Sequence, residues 1–207
     1  MRIDVLTLFP DMFSALDHSI IKRARTAGHL EINIVNFRDF SANKHKQVDD
    51  TPYGGGPGMI LMAQPIVDCI ESLDPERKAR RIFLTPSADV LKHKTVIQIA
   101  KHDHIILLCG HYEGVDRRVV ELCIDQEVSI GEYVLTGGEI PAMVLIDAVA
   151  RHIPGVINAD SLVNESYTNG NTHEHHQYTR PREYRGLVVP QVLLDGNHAE
   201  IEKWRKK

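Results

Sequence analysis

Apolar and polar positions along this chain fall into blocks whose period switches repeatedly between that of a strand and that of a helix. "RIDVLTLF" at the start has the character of a short buried strand, stopped by Pro10. "MFSALDHSIIKRARTAG" places Phe13, Leu16, Ile20 and Ala24 at helical spacing, with Gly28 as its stop. "HLEINIVNF" alternates as a strand does, and residues 38–58, polar and then glycine-rich, form a long loop. "QPIVDCIESL" begins a short helix with proline near its first turn. The rest repeats the theme. "RIFLT" predicts a strand, "SADVLKHKTVIQIAKH" a helix, "HIILLCG" a strand, "VDRRVVELCID" a helix, "QEVSI" a strand and "GEIPAMVLIDAVARHI" a helix.

Such alternation from residue 1 to about 153 predicts an α/β fold, a parallel sheet with helices on both faces. Residues 156–178 are polar without periodicity and are expected to form a linker. The tail carries an apolar "LVVPQVLL" and then a helix opened by Asn197, with Glu200 three residues on as in a capping box. The expected organisation is a main domain over 1–156, a linker over 157–178 and a small helical segment over 179–207.

Composition narrows the class. A chain of 207 residues, 43% hydrophobic and 25% charged, has the make-up of a soluble globular protein able to bury a core. No apolar run approaches the roughly 18 residues of a membrane span, and the apolar start is too short for a secretory signal. Cys69, Cys109 and Cys123 stand apart in apolar contexts and are expected to be reduced core thiols of a cytoplasmic protein. Net charge is −4, so totals do not announce a nucleic-acid binder. Local basic clusters exist at 22–25, 77–81, 180–185 and 203–207, and solvated helix faces account for most runs of this kind.

Glycine concentrates in "PYGGGPG" (52–58), "CGHYEGVD" (109–116) and "IGEYVLTGGEIPA" (130–142). Met59 and Ile60 follow Gly58 where a phosphate loop needs Lys and Ser or Thr, and no G-x-G-x-x-G follows the first strand. The usual ATP and nicotinamide sites are therefore excluded. The second and third segments each follow a predicted strand, and "FLTPSA" runs a further strand into Pro86. Ligands of open α/β sheets sit at that edge, so three such ends can form one pocket. Each glycine can equally serve a tight turn.

"DDTPYGGGPGM", "CGHYEGVD", "SIGEYVLTGGEIPAM", "RHIPGV" and "YTRP", in this order, resemble the bacterial tRNA (guanine-N1)-methyltransferase family over nearly the whole chain. The resemblance implies a sheet with a trefoil knot, S-adenosylmethionine as cofactor, tRNA as substrate, and a homodimer whose active sites are shared between subunits. It also implies methylation of the guanine 3′-adjacent to the anticodon. In the cofactor site it places Pro86, Gly110, Tyr112, Glu113, Ile130, Gly131, Glu132, Tyr133, Val134, Leu135, Gly137 and Gly138. Backbone groups on a rigid loop can read a flat adenine, and carboxylates such as Glu113 and Asp116 favour a cationic sulfonium. Asp116 can equally cap the helix that follows it.

Guanine N1 carries a proton, so the chemistry calls for a general base and for a cation beside the charge developing on O6. Arg151 matches the family arginine that contacts the guanine; its other reading is a cation at a helix C-terminus. The family aspartate sits in D-S-[FY]-x-x-G, and "ESYTNG" fits that frame with Glu165 at the acid position. Asp160, in "DSL", is the second candidate. Pro57 and Gly58 match positions against the base, and Arg180, Arg182, Arg185 and the terminal basic cluster are candidates for phosphate contacts. His173, His175 and His176 replace a stretch that is apolar in the family; they suggest RNA phosphate contacts more than a metal site. The family is reported to use Mg2+, and no all-protein magnesium site is visible. Family members continue with a further basic helical stretch beyond "KWRKK", so the expectation is a shortened C-terminal segment. Rival readings are a methyltransferase for another RNA base, a non-catalytic RNA-binding dimer that keeps the cofactor site, and, more distantly, a metal-dependent hydrolase.

Overall fold

The computed structural model describes residues 1–163, 165–168 and 175–205, which divide into two compact units, Met1–Ile157 and Asn158–Lys207. The first is built on a five-stranded sheet. Its strands are β1 (Arg2–Thr7), β2 (Glu31–Asn36), β5 (Arg80–Leu84), β6 (His104–Cys109) and β7 (Gln126–Val128). They lie in the order β2-β1-β6-β5-β7, and every pairing is parallel. A minor antiparallel pair, β3 (Asp49–Asp50) and β4 (Ile60–Leu61), interrupts the long loop.

Burial on both faces explains the uninterrupted apolar strands. Along β6, Ile105, Leu107 and Cys109 enter one core and Ile106 and Leu108 the other. The first core is closed by α1 (Ser19–Thr26), α3 (His93–Ile99) and α5 (Glu139–Ala150), the second by α2 (Ala63–Leu73) and α4 (Arg117–Cys123). Helix α5 is apolar nearly all round and fully buries Ala142, Leu145, Ile146 and Val149, as a helix lying against a sheet must.

Two predicted helices are shorter than their apolar spacing suggests. The run from Met12 to Gly28 is a 3-10 helix (Pro10–Asp17) followed by α1, because Ser19 takes a left-handed conformation (φ 51°) that no continuous helix accepts. The stretch from Ser87 turns helical only at His93, because the residues before it join the sheet edge. Val90 bridges Ser129, and the Leu91 N–H donates to the Ser129 carbonyl at 2.7 Å.

Buried charge is paired. Asp74 receives the backbone N–H groups of Lys78 and Ala79 and a forked contact from Arg81, and both side chains are 4% exposed. Burial by itself raises the Asp74 carboxyl; those N–H groups and the guanidinium outweigh it and hold the carboxyl below its ordinary range.

In the second unit, α6 (Asp160–Val163) occupies part of the stretch predicted as linker. A short hairpin, β8 (Glu183–Tyr184) with β9 (Leu187–Val188), precedes a 3-10 turn (Gln191–Leu193) and α7 (His198–Arg205). The predicted capping box is half formed. Asn197 Oδ1 accepts from the Glu200 N–H at 3.4 Å, while the Glu200 carboxylate pairs with Lys203 at 2.7 Å instead of reaching back.

Candidate functional site

The C-terminal ends of three neighbouring strands, β6, β5 and β7, open onto one cavity of about 250 Å³. Each strand ends at a break in its ladder: Leu84 runs into Thr85-Pro86, Cys109 into Gly110, and Val128 into the Ser129–Gly131 turn. That turn is pinned from within. Ser129, itself buried, donates its hydroxyl to the Gly131 carbonyl at 2.9 Å, and the same oxygen accepts the Gly131 N–H at 3.2 Å. The Tyr133 N–H then folds back onto the Gly131 carbonyl at 3.0 Å.

Bare backbone makes the cavity possible. A Cβ on Gly138 would lie 2.6 Å from Cys109 Cα, and the Gly138 N–H donates to the Gly110 carbonyl at 2.9 Å. Cβ atoms on Gly131 and Gly137 would strike the rings of Tyr133 at 2.2 Å and His111 at 2.4 Å. Tyr112 holds a left-handed conformation (φ 57°) within the 110–114 loop, which lines the cavity.

Of the residues expected to hold the cofactor, Pro86, Gly110, Tyr112, Glu113, Ile130, Gly131, Tyr133, Val134, Leu135, Gly137 and Gly138 line this cavity; Glu132 does not. Val134 is 81% exposed and Leu135 38%, apolar surface that a flat aromatic ligand would cover. The donor set is mostly backbone amides and carbonyls with apolar side chains, which fits S-adenosylmethionine.

Asp116 does not line the cavity. Its Oδ1 accepts the Arg118 N–H at 2.9 Å, so it caps α4, and its side-chain bond to Arg118 holds the carboxyl below the usual range against the opposing effect of burial. Gly58 ends the "PYGGGPG" loop with φ 80°, and a Cβ there would meet the Glu113 side chain at 2.4 Å. The Glu113 N–H donates to the Met59 carbonyl at 3.0 Å, so this loop abuts the cavity rim although Pro57 and Gly58 do not line it.

Arg151 is the C-cap residue of α5 and is half-buried. In the second unit, Glu165 is half-buried in a turn and Asp160 begins α6, with its side chain outside the described set. Arg180 and Arg182 are exposed; Arg182 reaches Gln191 at 2.9 Å, and the Arg185 guanidinium stands 5.3 Å from the centre of the Tyr184 ring. His173, Lys206 and Lys207 lie outside the described residues, while the His175 ring is 6.0 Å from that of Trp204.

The fold adds to the site a contact that no motif marks. His111 Nε2 lies 2.7 Å from Glu139 Oε2, and Glu139 Oε1 accepts the Thr7 hydroxyl at 2.7 Å. Glu139 is 1% exposed and stands in the first turn of α5, where the helix dipole favours a carboxylate. The signal in the sequence is an acid directly after Gly137-Gly138 at a helix start.

The thiols are buried. Burial, with Asp4 and Asp39 adding to it, pushes Cys69 up to about 12, and burial beside Glu139 raises Cys109 well above its ordinary value.

Comparison with known proteins agrees with this geometry. The family model described as tRNA (Guanine-1)-methyltransferase TrmD matches residues 1–207. The chain belongs to this family. It is similar to the tRNA (guanine-N(1)-)-methyltransferase of Staphylococcus aureus (strain MRSA252), 52% identical over 99% of this chain and 84% of that protein. It is equally similar to the protein of that name from Ruminiclostridium cellulolyticum, 52% identical over 99% of this chain and 89% of the relative. No helix among the described residues is long and apolar enough to cross a membrane.

Proposed function

We propose that this chain transfers a methyl group from S-adenosylmethionine to N1 of a guanine in tRNA, the one 3′-adjacent to the anticodon. The observation that carries the reading is the full-length family match, met by a glycine-backed cavity at the tips of β5, β6 and β7. When bound, the cofactor supplies an electrophilic methyl on a sulfonium.

The chain's own residues do the rest. Backbone groups of Ile130–Leu135 hold the adenine and ribose, with Val134 and Leu135 covering the ring. Pro57 and Gly58 admit the guanine, and the contact of Gly58 with Glu113 supports a base site next to the cavity. Glu165 takes the N1 proton, with Asp160 as the second candidate, and Arg151 stabilises charge on O6. Arg180 and Arg182 hold phosphates. Position and charge supply the rate in such a displacement.

The working unit is a homodimer with shared active sites. The exposed Ile140 and Val144, one turn apart on α5, join Phe9 and Met12, at the start of the 3-10 helix that packs on α5, in an apolar face suited to a second copy. A trefoil knot is part of the reading and rests on the family match. Residues 1–156 would form the catalytic domain, 157–178 a linker and 179–207 a tRNA-binding segment. The site of work is the cytoplasm, and Mg2+ is an accessory ion.

Labelled methyl transfer to two tRNA transcripts, with guanine or adenine 3′ of the anticodon, tests the reading. Incorporation into the guanine transcript alone is expected; equal incorporation, or none, overturns it. Glu165→Gln should slow transfer about 100-fold or more without weakening cofactor binding. Full activity in that variant and loss in Asp160→Asn would move the base to Asp160.

A further inference from the structure

His111 borders the cavity, and its side chain is 15% exposed. Its ring is fixed from several sides. Phe9 stacks at a tilt, 4.8 Å between centroids, and Gly137 leaves the room a Cβ would occupy. Glu139 Oε2 meets Nε2 at 2.7 Å. Glu139 is in turn held by Thr7, whose hydroxyl donates to Oε1 at 2.7 Å while its oxygen accepts the Phe9 N–H at 2.9 Å. With Glu139 as a carboxylate, the form a helix N-terminus favours, both of its oxygens accept, and His111 presents an N–H at Nε2.

In the neutral ring Nδ1 then carries a lone pair. Among the described residues it has no hydrogen-bond partner, yet no buried side-chain polar atom is left without one. Nδ1 is therefore not sealed in protein, and the ring borders the cavity. A fully buried acid, itself anchored across the fold, fixes the orientation of the imidazole and so of its other ring nitrogen.

We infer that His111 is a further cofactor-positioning residue: its Nδ1 accepts a hydrogen bond from a donor group of S-adenosylmethionine, a ribose hydroxyl or the methionyl ammonium, with Thr7 and Glu139 setting its tautomer. This rests on the reading of the cavity given above. It assigns His111 a direct contact rather than a role in holding the 110–114 loop.

Two substitutions separate those roles. His111→Gln carries an amide to the Nε2 position and keeps the Glu139 contact but empties Nδ1. His111→Asn places its amide at the Nδ1 position and gives up Glu139. Calorimetric titration of S-adenosylmethionine into the full chain should show His111→Gln about 10-fold weaker than the unaltered protein and His111→Asn within about 3-fold. Melting temperatures report whether each variant is folded. Repeating the titration with 5′-methylthioadenosine, which lacks the amino-acid end, identifies the partner. A penalty that persists assigns the ribose hydroxyl, and one that disappears assigns the ammonium. Wild-type affinity in His111→Gln, or a larger loss in His111→Asn than in His111→Gln, overturns the inference while leaving the cofactor site intact. Failure of the unaltered protein to bind the cofactor overturns both.

Discussion

Gly138 lies so close to Cys109 that a single added carbon would come within 2.6 Å of the Cys109 Cα. The start of α5 and the end of β6 touch backbone to backbone, and Gly110 and Gly138 of that contact line the cavity. Gly138 has an ordinary helical conformation (φ −83°), so the constraint is space and not backbone strain.

Gly138→Ala should therefore force the two segments apart. Overpacking of this kind costs about 1–3 kcal/mol. The expected result is a lower melting temperature together with weakened S-adenosylmethionine binding, measured by thermal unfolding with and without the cofactor. An alanine variant with unchanged stability and affinity would show that the contact is easily relaxed.

Asp116 offers a cleaner division between scaffold and site. As the α4 cap outside the cavity, it should cost about 1 kcal/mol when replaced by alanine and much less when replaced by asparagine. Cofactor affinity should stay unchanged in both. A loss of affinity in Asp116→Asn, with stability preserved, would make it a ligand instead.

The Asp74–Arg81 pair sets an acid limit on the fold. Its carboxyl is depressed in the folded state, so its stabilisation is complete above the unfolded value of about 3.9 and is lost as pH falls through the lower folded value. Asp74→Ala leaves the Arg81 guanidinium buried and should cost about 3–5 kcal/mol near neutral pH. Denaturant midpoints from about pH 2 to about pH 7 for both proteins measure this, and the gap between them should narrow at the acid end.

The thiols give a test of packing. Cys69 and Cys109 are fully buried and Cys123 nearly so, and their raised thiol values disfavour the reactive thiolate. An aromatic disulfide reagent should label the native protein slowly and all three residues at once after unfolding in guanidinium. Rapid labelling of Cys109 in the native protein would mean that the core at the end of β6 opens.

Much of this was legible in the chain. The strands β1, β5 and β6 could be read because burial on both faces leaves unbroken apolar runs, and the three glycine- or proline-marked strand ends do border one cavity. The break at Ser19 could not be read, since Phe13, Leu16, Ile20 and Ala24 keep helical spacing across it. The late start of α3 depends on a bridge to Ser129, a contact that local periodicity does not carry. The Thr7–Glu139–His111 chain joins three segments far apart in sequence, and only the folded sheet brings them together. Glu132 alone of the Ile130–Leu135 stretch does not line the cavity, a difference of direction within a turn that a motif does not carry.

Strand β1 sits between β2 and β6, so Arg2 is matched with Glu31 on one edge and with His104 on the other. During synthesis the first edge can be satisfied early, while the second must wait until the sixth strand leaves the ribosome. Over that interval a strand as apolar as "IDVLTL" presents unpaired amides to its surroundings. Nascent-chain folding of this protein is therefore a late event, and the period before residue 109 emerges is when chaperones and aggregation compete for it.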